Sequence, residues 1–242
     1  MQKASGVVVS WHREQNIAQI VRRMLDQEFI TDVVIWNNDK LRTVIAHDVA
    51  SFRSHSDPEN GCGGELYETE DEETGKRVVL VDSYINVKTL GRFAATALTK
   101  QDIIATCDDD YLVNNWQQIA ERFESHNGKT LVAAAAGGHV RAWQERRWAH
   151  EEAELALLGW GSMFDRRWWP AVRDAYAAQY GKDLCYYGKA DRLFSIGLNR
   201  GHDVFHEDTD AMGATDRDAI YRQPGHVVRI NESHARAFAL LS

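Results

Sequence analysis

The stretch Ile103-Ile104-Ala105-Thr106-Cys107-Asp108-Asp109-Asp110-Tyr111 runs apolar residues straight into three carboxylates. An apolar run of this length suits a buried strand, and three adjacent acids cannot all be buried unpaired, because desolvating each costs several kcal/mol. The chain must therefore surface at Asp108. A strand whose carboxyl end emerges as acids sets hard oxygen ligands in the crevice where open α/β sheets hold their ligands. Strand alternation predicts Asp108 and Asp110 on one side and Asp109 on the other. That pair suits a hard divalent cation, Mg²⁺ or Mn²⁺, which completes its octahedron with water and phosphate oxygens. The alternative is an acidic loop that caps the next helix.

Strand and helix patterns alternate along the rest of the chain. Gly6-Val7-Val8-Val9-Ser10 reads as a buried strand, Ile17, Ile20, Val21, Met24 and Leu25 recur at helical spacing, and Asp32 to Trp36 reads as a second strand ending in Asn37, Asn38 and Asp39. The expected unit is a βαβ crossover. Ser54 to Gly64 reads as a surface loop, the acidic run Glu65 to Glu73 as a solvated face, and Thr74-Gly75-Lys76 as the turn of a hairpin into Val78 to Val81. Ala94 to Leu98 is a small-residue helix packed on the sheet. Trp116, Ile119, Ala120 and Phe123 share a helical face that Asn127-Gly128 ends. Thr130 to Ala136 is a further strand, Leu157 to Phe164 a strand and tight turn, and Pro170 to Tyr180 a helix closed by Gly181. Asp191 falls at or near a helix amino terminus, where a capping role is the plain reading.

With 242 residues, 44% hydrophobic and 26% charged, the chain is globular, and one α/β domain over 1–242 is expected. A net charge of −8 argues against broad adhesion to nucleic acid or anionic membrane, so a polyanionic acceptor would need a local basic patch. Arg141, Arg146, Arg147, Arg166, Arg167 and Arg173, interleaved with Trp143, Trp148, Trp160, Trp168 and Trp169, are the candidates. Flat rings and guanidinium groups stack on sugars or bases and hold phosphates, although some of these tryptophans must be core. Cys62, Cys107 and Cys185 form no CxxC pair, which points to a reducing compartment rather than a disulfide framework or a zinc site. No signal segment precedes the Gly6 strand and no apolar run approaches about 18 residues. A cytoplasmic protein with no membrane partner is expected.

Familiar motifs are excluded. Asn127-Gly128-Lys129-Thr130 has the tail of a P-loop, but position 123 is Phe and the Gly-Lys-Thr precedes a strand. His150-Glu151-Glu152-Ala153-Glu154 lacks the second histidine of a metalloprotease motif, and neither a GxSxG elbow nor a GxGxxG loop after the first strand is present.

Taken in order, Val7 to Arg13 with Ile35-Trp36-Asn37-Asn38, then Asn86 to Phe93, Asp108-Asp109-Asp110, Asp191, and the tail from His226 through Arg229 to Phe238 resemble a GT-A-fold glycosyltransferase. Among these the exostosin-like enzymes look closest. The resemblance implies a central, mostly parallel mixed sheet flanked by helices, with about 1–112 as the nucleotide-binding half and about 113–242 as the acceptor-binding half. It implies that Trp11, Arg13, Asn38, Asn86 and Arg92 hold the uridine and phosphates of a UDP-sugar, and that Asp110 binds Mn²⁺ or Mg²⁺ with His226. Asp108 would meet ribose, the metal or a metal-bound water. On the same resemblance Gly159, Trp160 and Gly161 would border the donor sugar and acceptor, while Asp191 and Arg229 would be catalytic, Asp191 contacting the reacting sugar or the incoming hydroxyl. The sequence departs from the family at Ala190-Asp191, where an acidic pair is usual, and retention or inversion stays open.

The missing anchor makes the chain look more like compact bacterial or bacteriophage glycosyltransferases, including those that modify hydroxymethylated pyrimidines in DNA, so modified DNA is one acceptor the resemblance implies. A polysaccharide or small-molecule acceptor is the alternative. Two other classes compete. A nucleotidyltransferase would carry a Gly- and Lys-rich loop after strand one, where this chain has Trp11-His12-Arg13-Glu14. A non-catalytic nucleotide-sugar-binding module would have no need of Asp108, Asp110 and Asp191.

Overall fold

Ala4–Ser10 (β1) and Ile30–Asn37 (β2) pair in parallel around the helix Glu14–Leu25 (α1), so the expected βαβ unit opens the chain. The spacing of Ile17, Ile20, Val21, Met24 and Leu25 puts all five on the face α1 buries. Glu14 in its first turn and Arg22 and Arg23 in its last complement the helix dipole. The helix sits so close to β1 that a Cβ on Gly6 would stand 2.9 Å from Met24 Sδ.

The computed structural model describes residues 1–39, 51–57, 62–135, 156–198, 202–206 and 209–212, together with 232, 235–237 and 239–240. After β2 come Ser51–Asp57 (β3), Cys62–Glu70 (β4), Arg77–Ser83 (β5), the helix Leu90–Ala95 (α2), Ile103–Asp108 (β6), Tyr111–Val113 (β7), the helix Trp116–Ser125 (α3) and Leu131–Ala135 (β8). Then follow Ser162–Asp165 (β9), the helices Trp169–Tyr180 (α4), Leu184–Gly188 (α5) and Ala190–Gly197 (α6), and the strands His202–His206 (β10) and Thr209–Ala211 (β11). Asn115 caps α3 by accepting from the Gln118 amide, and Asn127 and Gly128, both at positive φ, end it as expected.

Among the described residues nine strands form one sheet, in the order β10-β8-β9-β6-β1-β2-β5-β4-β3. Only β4 and β9 run against the others, so the sheet is mixed and mostly parallel, with helices on both faces. This is the sheet that a GT-A-like α/β fold implies. The parallel strands β5-β2-β1-β6 follow the third-second-first-fourth order of a Rossmann-like half, and the order reverses between β1 and β6. Successive residues of these strands point to opposite faces. Val7, Val34, Trp36, Val81 and Ile104 therefore enter the core under α2, α4 and α6, whereas Val8, Val33, Ile35, Leu80 and Ala105 enter the core under α1 and α3. Among the described residues no helix is long and apolar enough to cross a membrane.

One stretch departs from expectation. The segment read as a loop followed by a solvated acidic face contributes the edge strands β3 and β4. In β4 the residues Cys62, Gly64 and Leu66 are buried in alternation, and Gly64 lies so near β5 that a Cβ there would meet the Asp82 carbonyl oxygen at 2.4 Å. Glu65 and Tyr67 lie on the other face and bond each other, while Glu68, in step with Leu66, pairs with Arg77 further along the strand.

Candidate functional site

The reversal between β1 and β6 places their carboxyl ends side by side, with Val9 paired to Asp108. Open α/β sheets bind ligands at this crevice. Two adjoining clefts lie here, of about 160 and 220 Å³, and share Thr89 and Asp108 as a common wall. Six residues singled out from the sequence line the first: Trp11, Arg13, Asn38, Asn86, Asp108 and Asp110. Asp108, Gly159, Trp160 and Asp191 line the second.

Each carboxylate of the triplet has a separate task. The chain leaves β6 at Asp108 and turns at Asp109 and Asp110, so strict strand alternation does not hold beyond Asp108. Asp109 is buried, accepting from the Trp11 amide at 2.5 Å and from Arg13 at 2.9 Å, which ties the end of β6 to the end of β1. Its pKa is pushed up to about 6 by burial, partly offset by those two donors. Asp110 is pushed up to about 7, by burial first and then by the Asp108 charge. Its Oδ1 is buried with no hydrogen-bond partner among the described residues, while the Asp108 side chain keeps 36% of its surface exposed.

Three crowded carboxylates short of positive charge fit a hard divalent cation. Among the described residues no group of three or more His, Cys, Asp or Glu forms a ready-made metal cluster. Asp108 and Asp110 would accordingly share a cation with water and phosphate oxygens. His226 lies outside the described residues, as do Arg229, Arg141, Trp143, Arg146, Arg147 and Trp148.

Arg92 calls for a correction. The resemblance sets it on the nucleotide phosphates, but its guanidinium is fully buried and engaged by protein. It donates to Asp191 at 2.6 Å, to Asp108, and to Thr106 Oγ1 at 3.0 Å. Burial opposes its charge, yet Asp191 and Asp108 together hold its pKa above the ordinary arginine value. Arg92 thus clamps one carboxylate from each cleft. Asp191 is pushed up to about 6 by burial, against the pull of Arg92, and its Oδ1 is buried without a hydrogen-bond partner among the described residues. Nor is it the helix cap: Lys189 holds that position, with no side-chain capping bond.

Asn38 and Asn86 mainly shape the backbone. Asn38 accepts from the Val87 amide and donates to the Lys88 carbonyl, and Asn86 accepts from the Lys88 amide, which pins the segment from 86 to 89 against the end of β2. Trp11 stacks on His12 with ring centroids 3.9 Å apart, and Trp160 leans on Tyr111 at 5.0 Å. Gly159 is in a short 3-10 turn, Leu158–Trp160, rather than a strand, and Gly161 follows at φ 108°, where an added Cβ would stand 2.8 Å from Val113 and 3.2 Å from Ile119. A Cβ on Gly159 would stand 2.0 Å from Asp108 Oδ2. Gly159→Ala is therefore expected to force Asp108 aside, lowering stability by about 1–3 kcal/mol. Thermal melting with and without Mn²⁺ checks this, the variant losing any metal-induced rise in melting temperature.

The arginine- and tryptophan-rich stretch divides. Arg166 bonds Asp102 and the Thr96 carbonyl, and Arg167 bonds Asp165. Because β9 runs against β6, pairing Asp165 with Ile103, both arginines lie at the end of the sheet opposite Asp108. They cannot clamp an acceptor at these clefts. Arg173 pairs with Asp174, and Trp169 is core, stacked on Phe93 at 4.1 Å. The sequence reading passed over Lys88, Thr89, Lys189 and Arg192, which also line the clefts. Lys189 and Arg192 flank Asp191, so neighbours of a candidate acid were the only available signal.

No protein family profile matches this sequence, and no curated protein matches it. Among solved structures, S. aureus TarS 1-349 aligns with a TM-score of 0.48 and 12% identity over 98% of this chain and 71% of that one. The same protein in complex with UDP aligns at 0.48 and 11%, over 99% and 70%. The 4-diphosphocytidyl-2C-methyl-D-erythritol synthase from Anaerococcus prevotii DSM 20548 aligns at 0.44 and 9%, over 97% of both chains. Likenesses this distant carry no functional argument.

Proposed function

We propose that this chain is a metal-dependent glycosyltransferase that moves a sugar from a nucleotide-sugar, UDP-linked, to an acceptor hydroxyl. The observation that carries this reading is the pair of clefts that meet at Asp108, one with acids suited to a cation and a diphosphate, the other with Asp191 and Trp160. A diphosphate lying in the first cleft presents its sugar at the shared wall, and a hydroxyl arrives through the second. The acceptor oxygen bonds the anomeric carbon, the bond from that carbon to the diphosphate oxygen breaks with its electron pair, and the hydroxyl proton passes to Asp191. This is an inverting displacement. Asp108 and Asp110 would hold Mn²⁺ or Mg²⁺, which would supply positive charge against the diphosphate. Trp11 offers a ring face to uracil and Trp160 one to a sugar. Arg13, locked to Asp109, holds the rim, and Arg92 positions Asp108 and Asp191.

On this reading 1–242 is one domain, with about 1–112 binding nucleotide and about 113–242 binding acceptor. A hydroxymethylated-DNA acceptor now rests on Arg141, Arg146 and Arg147, with a polysaccharide or small-molecule hydroxyl as the alternative. Calorimetric titration of UDP with Mn²⁺ and with chelator tests the donor site. Binding is expected only with metal, and Asp110→Ala should weaken it at least about tenfold, or ~1.4 kcal/mol. Failure of wild-type protein to bind any uridine nucleotide would remove the proposal. Pyrophosphate release from a nucleoside triphosphate and a sugar phosphate would then establish the nucleotidyltransferase reading.

A further inference from the structure

With Arg92 engaged by Asp108 and Asp191, a diphosphate in the first cleft needs another cation from the protein, and Lys88 stands in the right place. It lines the first cleft. Its stem passes Gly188, which lines the second: a Cβ on Gly188 would lie 3.2 Å from Lys88 Cδ and 3.8 Å from Nζ. The ammonium is therefore near the junction of the two clefts, and Nζ has no hydrogen bond or ion pair among the described residues. The backbone points the same way. Lys88 has φ 54°, a left-handed conformation in which Asn, Asp, His and Gly are common and lysine has no local reason to be. Three bonds hold it there: its amide to Asn86 Oδ1, and its carbonyl to Asn38 Nδ2 and to the Gly91 amide. A strained residue fixed by its surroundings at the rim of a cleft is a sign of function.

We propose that Lys88 binds the diphosphate of the donor and stabilises the charge that gathers on its leaving oxygen. The proposal deepens the donor-site reading and rests on it. Its ligand class is a nucleoside diphosphate, recognised through phosphate rather than base. A compact ammonium on a flexible stem can follow the phosphate as the bond to the sugar breaks.

The test compares UDP with uridine in Mn²⁺, titrated into wild-type protein, Lys88→Met and Lys88→Arg. Removing one charge-assisted hydrogen bond should weaken UDP binding by Lys88→Met about tenfold or more, while uridine binding and melting temperature stay as in wild type. Lys88→Arg should recover most of the UDP affinity. Equal UDP affinity in wild type and Lys88→Met overturns this assignment alone, and so does a parallel loss of uridine and UDP binding. If wild-type protein binds uridine no worse than UDP, the diphosphate site itself is absent and both readings fall.

Discussion

Asp191→Asn is expected to slow UDP release from a UDP-sugar, with water standing in for the acceptor hydroxyl, by about 100- to 10,000-fold, the usual range for removal of a general base. The substitution keeps shape and leaves Arg92 three oxygen acceptors, Thr106 Oγ1, the Asp108 carboxylate and the new side-chain amide, so folding and UDP binding should persist. Wild-type protein should show a matching pH dependence. A base works only when ionised, and burial pushes Asp191 up to about 6, so the rate should fall as pH drops through that value. The variant should lack that acid limb. A variant that releases UDP at the wild-type rate would remove Asp191 from the chemistry and leave it as the counter-ion of Arg92.

The parts of this molecule that were legible in the sequence are those that local pattern encodes. The buried face of α1 is visible in the spacing of Ile17, Ile20 and Met24, and the strand end at Asp108 in the cost of burying three acids. Strands β3 and β4 were not legible because their pattern is written in polar residues and glycine; Leu66 alone marks the inner face strongly, and β5 supplies the partner that makes a strand of it. The same limit applies within the site. Arg92 reads as a free phosphate-binding arginine until Asp191, 99 positions away in the chain, is seen to meet it. Arg13 reads as a free ligand group until Asp109 is found holding its guanidinium together with the Trp11 backbone amide. Residue types announce chemistry, whereas tertiary pairing decides which groups remain free to perform it.

The largest effect on stability is expected far from the clefts, at the amino ends of the strands. Asp32 is fully buried in β2 and accepts from Ser5 Oγ, Thr31 Oγ1 and the Lys100 amide, with Arg77 3.5 Å away. These donors come from β1, β2 and the turn before β6, so one carboxylate fastens three neighbouring segments. Asp32→Ala leaves the Lys100 amide and the Ser5 hydroxyl without their acceptor and removes the counter-charge beside Arg77. Breaking a buried charged network in this way costs about 3–5 kcal/mol. For a chain of this size that is a fall in melting temperature of roughly 10 °C. Glu68, a second carboxylate beside Arg77, is 32% exposed, and Glu68→Ala should cost no more than about 1 kcal/mol. Thermal melts of the two variants, run side by side, separate the buried anchor from the surface pair. Equal melting temperatures would mean that water replaces Asp32 at this end of the sheet and that the apolar packing of α1 and α2 carries the fold without it.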